Sequence, residues 1–126
     1  MSDKPSRFNE FVADAKRRIQ EVAVEDVQGR LRRGDQLNLI DVREESEWMQ
    51  SHVPNAVHLS KGVIERDVEK RFPDLNAKLV LYCGGGSRSA LAADNLQKMG
   101  YRNVRSMIGG FRTWREEGLP VETGPA

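Results

Sequence analysis

The chain has 126 residues, 38% of them hydrophobic and 31% charged, which suits one globular domain with a real core and is too short for two. Twenty Lys/Arg against nineteen Asp/Glu leave a net charge of +1, so no global field points to nucleic acid or to a membrane surface, and no apolar run approaches transmembrane length. One cysteine excludes an internal disulfide, and with two histidines it makes no zinc set; the opening residues lack the apolar core of a secretory signal, and a reducing cytoplasm that keeps Cys83 free is the expected compartment.

Phe8, Phe11, Val12, Ala15, Ile19 and Val22 recur at helical spacing, which predicts an amphipathic helix from Ser6 to Val22. Residues 1–23 are therefore set apart as a helical extension, with residues 24–126 as the catalytic domain. Asp26 to Gly34 reads as a short helix closed by its glycine. Leu37 to Val42 is a strand with apolar residues on both faces, as a buried parallel strand requires. Glu44 to Gln50 is helical, His52-Val53-Pro54-Asn55 is a turn, and Ala56 to Leu59 is a short strand. A helix over Val63 to Phe72 ends at Pro73, and Lys78 to Cys83 is the central strand. Ser89 to Met99 is a helix that buries Leu91, Ala92 and Leu96 and stops at Gly100. Val104 to Ile108 is a further strand, Phe111 to Glu117 a short helix, and Glu122 to Ala126 a frayed tail. This alternation predicts an α/β domain with a mostly parallel central sheet flanked by helices on both faces. In such sheets ligands sit beyond the carboxyl ends of the strands, where Asp41 and Cys83 both fall.

Tyr82-Cys83-Gly84-Gly85-Gly86-Ser87-Arg88-Ser89 carries the chemistry. A strand, a glycine-rich turn and a helix start place the thiol where backbone amides curl inward and a helix adds its positive end. The five amides from Gly84 to Arg88 are expected to converge on the sulfur, forming a cradle about one sulfur or one small oxyanion wide. A cysteine there has a lowered pKa and is nucleophilic at neutral pH. The same amides would stabilise an anionic persulfide. Arg88 either binds an anion or folds onto a carboxylate below the loop, and Asp41 is the expected partner, bracing the loop through an Arg–carboxylate pair.

Four motifs in order resemble the single-domain rhodanese family of sulfurtransferases. Leu39-Ile40-Asp41-Val42-Arg43 resembles that family's strand end, and Trp48 to Ala56 its aromatic-x3-His-hydrophobic-Pro-Gly-Ala segment. Cys83 to Ser89 resembles the Cys-x-x-Gly-x-Arg-Ser active loop, and Met107 to Trp114 the Gly-Gly-aromatic-x-x-Trp close. Asn55 stands where the family has glycine, a change that a left-handed turn tolerates, and Trp48 where it has Phe or Tyr. The resemblance implies that Cys83 attacks the outer sulfur of a small anionic donor such as thiosulfate, with sulfite leaving. The persulfide then passes its sulfur to a thiol, cyanide or protein acceptor by double displacement. Gly84, Gly85, Gly86, Ser87, Arg88 and Ser89 would hold the persulfide and the substrate, with Asp41 and Arg43 supporting the loop; no cofactor, metal, nucleic acid or membrane is implied.

The six-residue loop from Cys83 to Arg88 is one residue shorter than in fold relatives that hydrolyse phosphate esters or reduce arsenate, which favours a single sulfur over a phosphoryl group. Arg43, Lys61, Arg66, Arg88 and Arg112 are the candidate cations for a dianionic donor. His52, in the turn, and His58, in the short strand, do not read as general bases, and Trp48, Phe111 and Trp114 read as packing. Ser89 either donates to the sulfur or caps its helix. The competing function is a sulfur carrier loaded by a partner protein, with the first helix as its docking element.

Overall fold

The computed structural model describes residues 6–125. The run from Leu79 to Tyr82 is apolar at every position, and each of its four residues is 3% exposed or less, so this strand sits mid-sheet with a layer on either face. Five strands, β1 (Gln20–Val22), β2 (Asn38–Asp41), β3 (Val57–His58), β4 (Leu79–Tyr82) and β5 (Val104–Met107), pair in the order β1-β5-β4-β2-β3, every pair parallel. The helices between and around them are α1 (Arg7–Lys16), α2 (Val24–Arg32), α3 (Glu45–Gln50), α4 (Ile64–Arg71), α5 (Ser87–Lys98) and α6 (Gly110–Glu116). This is the expected α/β architecture, with a sheet that is parallel throughout.

The pleat divides β4 between two cores. Leu79 and Leu81 pack with Ile40 and with Ile64, Val68, Ala92, Ala93 and Leu96 of α4 and α5. Val80 and Tyr82 pack on the opposite face with Val24 and Val27 of α2 and Phe111 and Trp114 of α6. Truncating a fully buried leucine such as Leu81 to alanine costs about 2–5 kcal/mol in a core of this kind. Gly34 ends α2 in the left-handed region, at φ 75°; its N–H bonds the Leu31 carbonyl and that of Asp35 bonds Arg30, the paired closure that glycine permits. Asn55 adopts φ 66°, the left-handed turn that its substitution for glycine allows.

Two expectations are corrected. The predicted helix from Ser6 to Val22 stops at Lys16, and residues 20–22 inside the supposed extension form edge strand β1 against β5. Val22 joins the core under α2, and the Ile108 N–H bonds its carbonyl, so the open edge of β5 captures this segment. Helix α1 buries Val12 and Ala15 against Ala90 and Leu91 of α5, while Phe8 and Phe11 face outward, 49% and 63% exposed. Arg18 anchors the turn with a two-point bond to Asp94 at 3.1 and 2.9 Å. The tail, expected to fray from Glu122, is docked as far as Gly124. Glu122 and His52 exchange backbone hydrogen bonds of 2.8 Å in each direction, and the Gly124 N–H bonds the Met49 carbonyl. Two main-chain anchors outweigh the terminal entropy there.

Candidate active site

Strand β2 leads away to β3 on one side, and its neighbour β4 leads to β5 on the other. Between such strands the carboxyl ends diverge and leave a crevice. Cys83 follows β4 at that point, and Asp41 ends β2 beside it, paired in register with Tyr82. The thiol is 1% exposed. The Gly86 N–H donates to Sγ at 3.1 Å, and the Ser89 Oγ lies 3.5 Å from it. Burial alone would push this thiol up. The Ser89 hydroxyl and the amides of Ser89, Gly86 and Gly85 outweigh it and hold Cys83 below the ordinary cysteine value. Of the five amides expected from Gly84 to Arg88, those of Gly86, by a hydrogen bond, and Gly85 act on the sulfur, and the Ser89 amide of the helix joins them.

The remaining loop polarity is turned the other way. The Cys83 carbonyl accepts from the Phe111 N–H at 2.7 Å and the Gly84 carbonyl from the Arg112 N–H at 3.0 Å. With its carbonyls consumed by α6, the loop is free to aim amides at the sulfur. Gly110 makes this approach possible: a Cβ there would lie 2.3 Å from the Cys83 oxygen, and its φ of 55° suits glycine. Helix α5 starts at Ser87, two residues earlier than expected, after Gly86 at φ 104°. Ser89 is therefore inside the helix and is not its cap; its Oγ is 2.8 Å from Ser106 Oγ on β5, both side chains fully buried. Ser106 was not singled out from sequence, since a lone serine in a strand carries no distinguishing signal.

The expected Asp41–Arg88 pair does not form. Asp41 is taken by Arg43: its Oδ1 accepts from the Arg43 N–H at 2.9 Å, and its Oδ2 from the Arg43 Nη2 at 2.8 Å. Arg43 also donates to the Ser51 carbonyl and lies 4.2 Å from the Phe111 ring centroid, so this buried pair ties the end of β2 to the end of α3 and to α6. Arg88 instead bonds Glu47 of α3 through two nitrogens, at 2.7 and 3.1 Å, and holds that carboxyl below the usual range. The partners were misassigned because an Asp–x–Arg spacing closes on itself before a distant guanidinium can compete. The Glu47 Oε1 also accepts from the Glu44 N–H, and that Glu-x-x-Glu spacing is the one sequence sign of its fixed position.

A shallow cleft of about 680 Å³ opens over the loop between α3 and α6, lined by Glu47, Gly84, Gly85, Arg88, Phe111, Arg112, Arg115 and Glu116. Of the candidate cations it gathers Arg88 and Arg112. Arg43 lies beneath it, Arg66 pairs with Asp67, and Lys61 is not among its lining residues. Arg115 was missed, although its spacing three residues after Arg112 on a short helix put it on the same face. His52 is fully buried, stacked on Trp48 at 3.5 Å with Nδ1 2.9 Å from the Trp48 carbonyl, and the His58 Nε2 is 2.7 Å from the Arg43 carbonyl. His52 packs within its turn, while His58 on β3 meets the chain that follows β2. Trp48 and Trp114 are core residues, and Phe111 joins core to cleft floor.

Residues 23–117 match the model of the rhodanese-like domain. The chain belongs to the rhodanese-like family. Thiosulfate sulfurtransferase GlpE of Coxiella burnetii is 35% identical to this rhodanese-like domain over 77 residues, 61% of the chain and 70% of that relative. A Bacillus subtilis relative, YrkF, proposed in its name to be a sulfur carrier protein, is 35% identical over 98 residues, and the chain spans about half of its length, 51%. Among solved structures, the polysulfide-sulfur transferase homodimer of Wolinella succinogenes superposes with a TM-score of 0.78 at 29% identity, over 92% of this chain and 87% of that one. A Rhodopseudomonas palustris protein of unknown function, described as a possible tyrosine phosphatase, superposes with a TM-score of 0.81 at 27% identity, over 97% and 99% of the two chains. The curated relatives are named for sulfur transfer and sulfur carriage.

Proposed function

We propose that the domain moves a sulfane sulfur from thiosulfate or a persulfide, through a persulfide on Cys83, to a thiol or cyanide. The Cys83 thiolate attacks the outer sulfur of thiosulfate; the S–S bond breaks and sulfite leaves with the electron pair. An acceptor thiolate then attacks the outer sulfur of the persulfide, and Cys83 departs as thiolate with its electron pair; cyanide would leave as thiocyanate. The observation that carries this reading is the donor set around Sγ, three amides and the Ser89 hydroxyl, which suits one added anionic sulfur. The six-residue loop and the relatives named for sulfur transfer support the same reading over phosphate-ester hydrolysis.

Intact mass of reduced protein after incubation with thiosulfate is the test. The expected result is a gain of one sulfur at Cys83, removed by cyanide with formation of thiocyanate, and absent in Cys83→Ser. Full transfer by Cys83→Ser overturns the reading, and turnover of a phosphate ester with no sulfur gain replaces it. A carrier role is the second reading, favoured by Phe8 and Phe11 standing exposed on α1 and by the name of the longer Bacillus relative. Slow loading from thiosulfate with rapid loading from a protein persulfide is its signature.

A further inference from the structure

The cleft above the loop holds more positive charge than a small sulfur donor engages. Arg88 is committed to Glu47. Arg112 and Arg115 have no carboxylate partner among the described residues, yet both line the cleft. They are three residues apart on α6, so their side chains leave one face of the helix about 5–6 Å apart at Cβ. Arg112 lies against the loop, its Nη2 3.2 Å from where a Cβ on Gly85 would be. Arg115 stands further out, its guanidinium carbon 5.9 Å from the Phe111 ring centroid. Glu116 completes the rim, exposed and without a cationic partner among the described residues. A volume near 680 Å³ lies within the range of sites for organic molecules, and of the two guanidiniums it is Arg112 that lies against the loop, so Arg115 faces the part of the cleft further from it.

We infer that this cleft selects the sulfur acceptor, a small thiol bearing two carboxylates, one received by Arg112 beside the loop and the other by Arg115, with Glu116 placed for an ammonium group. The inference rests on the sulfur-transfer reading for its chemistry and on the unpaired guanidiniums for its selectivity. The acceptor enters as a thiolate and attacks the outer sulfur of the Cys83 persulfide. The new S–S bond forms as the old one breaks, and the acceptor leaves as an organic persulfide. Neutral thiols gain nothing from the two guanidiniums, and the interleaved Glu47 and Glu116 keep the cleft from holding polyanions indiscriminately.

The test compares mercaptosuccinate, thioglycolate and 2-mercaptoethanol as acceptors for protein loaded with sulfur from thiosulfate or polysulfide, with rates corrected to equal thiolate concentration. The expected order of kcat/KM follows the carboxylate count, about three- to five-fold per carboxylate at low salt and less at high salt. Arg115→Gln should bring the mercaptosuccinate advantage over thioglycolate close to one, a ratio that a general loss of folding or activity leaves unmoved. In parallel, succinate and acetate are titrated into the unloaded protein by two-dimensional NMR. Succinate should shift the Gly85, Arg112 and Arg115 signals at several-fold lower concentration than acetate. Sulfur transfer without discrimination among the three acceptors overturns the inference and leaves the proposed function standing. If Cys83 takes no sulfur, the function fails, and the succinate titration still decides the anion site: equal weak shifts with both acids remove it.

Discussion

Two arginine–carboxylate pairs stand within one turn of chain of each other at the end of the sheet, and they do different work. In Asp41–Arg43 the side chains are 0% and 6% exposed. In Glu47–Arg88 they are 36% and 32% exposed. Both pairs use two guanidinium nitrogens at ordinary hydrogen-bond lengths, so contact geometry does not separate them. Solvent does. The buried pair cannot lose a member without stranding a charge in the core, whereas water takes over when the outer pair opens. The first is a fixed tie within the core, and the second is an adjustable element of the cleft.

The largest effect expected from breaking this contrast is at the buried pair. Asp41→Ala leaves Arg43 uncompensated and should cost about 3–5 kcal/mol in denaturant unfolding, and replacing both residues by apolar ones of similar volume should recover most of it. A cost for Asp41→Ala below about 1 kcal/mol would erase the distinction between the pairs. Next is Ser89→Ala, which removes the hydroxyl on Sγ and leaves Ser106 without its partner, at about 1–2 kcal/mol of stability. Because Ser89 helps to hold the thiol below its ordinary value, the pH profile of Cys83 alkylation should move to higher pH in this variant; an unmoved midpoint would mean that the amides suffice alone. The smallest effect on stability belongs to Glu47→Gln, under about 1 kcal/mol. Freed of its carboxylate, Arg88 should raise the alkylation rate of Cys83 by iodoacetate relative to neutral iodoacetamide about two- to five-fold. Arg88 depresses the Glu47 carboxyl, so the stability which that pair adds is full above the ordinary glutamate value and vanishes only as pH falls through the lowered one.

The parts of the fold legible in the chain were those written in runs. β4 and its loop, the buried face of α5, and the glycine stops at Gly34 and Gly100 all follow from periodicity and backbone freedom. β1 was hidden because a three-residue edge strand with one buried side chain leaves no pattern, and Ile19 and Val22 happened to continue the helical spacing of α1. The docked tail was hidden because its anchors are main-chain atoms, which no side-chain pattern reports. At the site, Cys83 and its glycines were readable from local geometry. The choice between Asp41 and Glu47 as partner for Arg88 was not, since it depends on where α3 lies in space and on Arg43 reaching Asp41 first.

The hydrogen bonds from Phe111 and Arg112 to the carbonyls of Cys83 and Gly84 divide the molecule's freedom to change. They belong to the main chain, and Gly110 alone among the side-chain positions there is bound to them by steric necessity. Positions 115 and 116, exposed at the cleft rim, can be exchanged without disturbing them, whereas the Arg112 side chain lies against the loop. New partners can therefore be acquired at the outer face of α6 while the nucleophile beneath is inherited unaltered, as a tool keeps its shank when the bit is replaced.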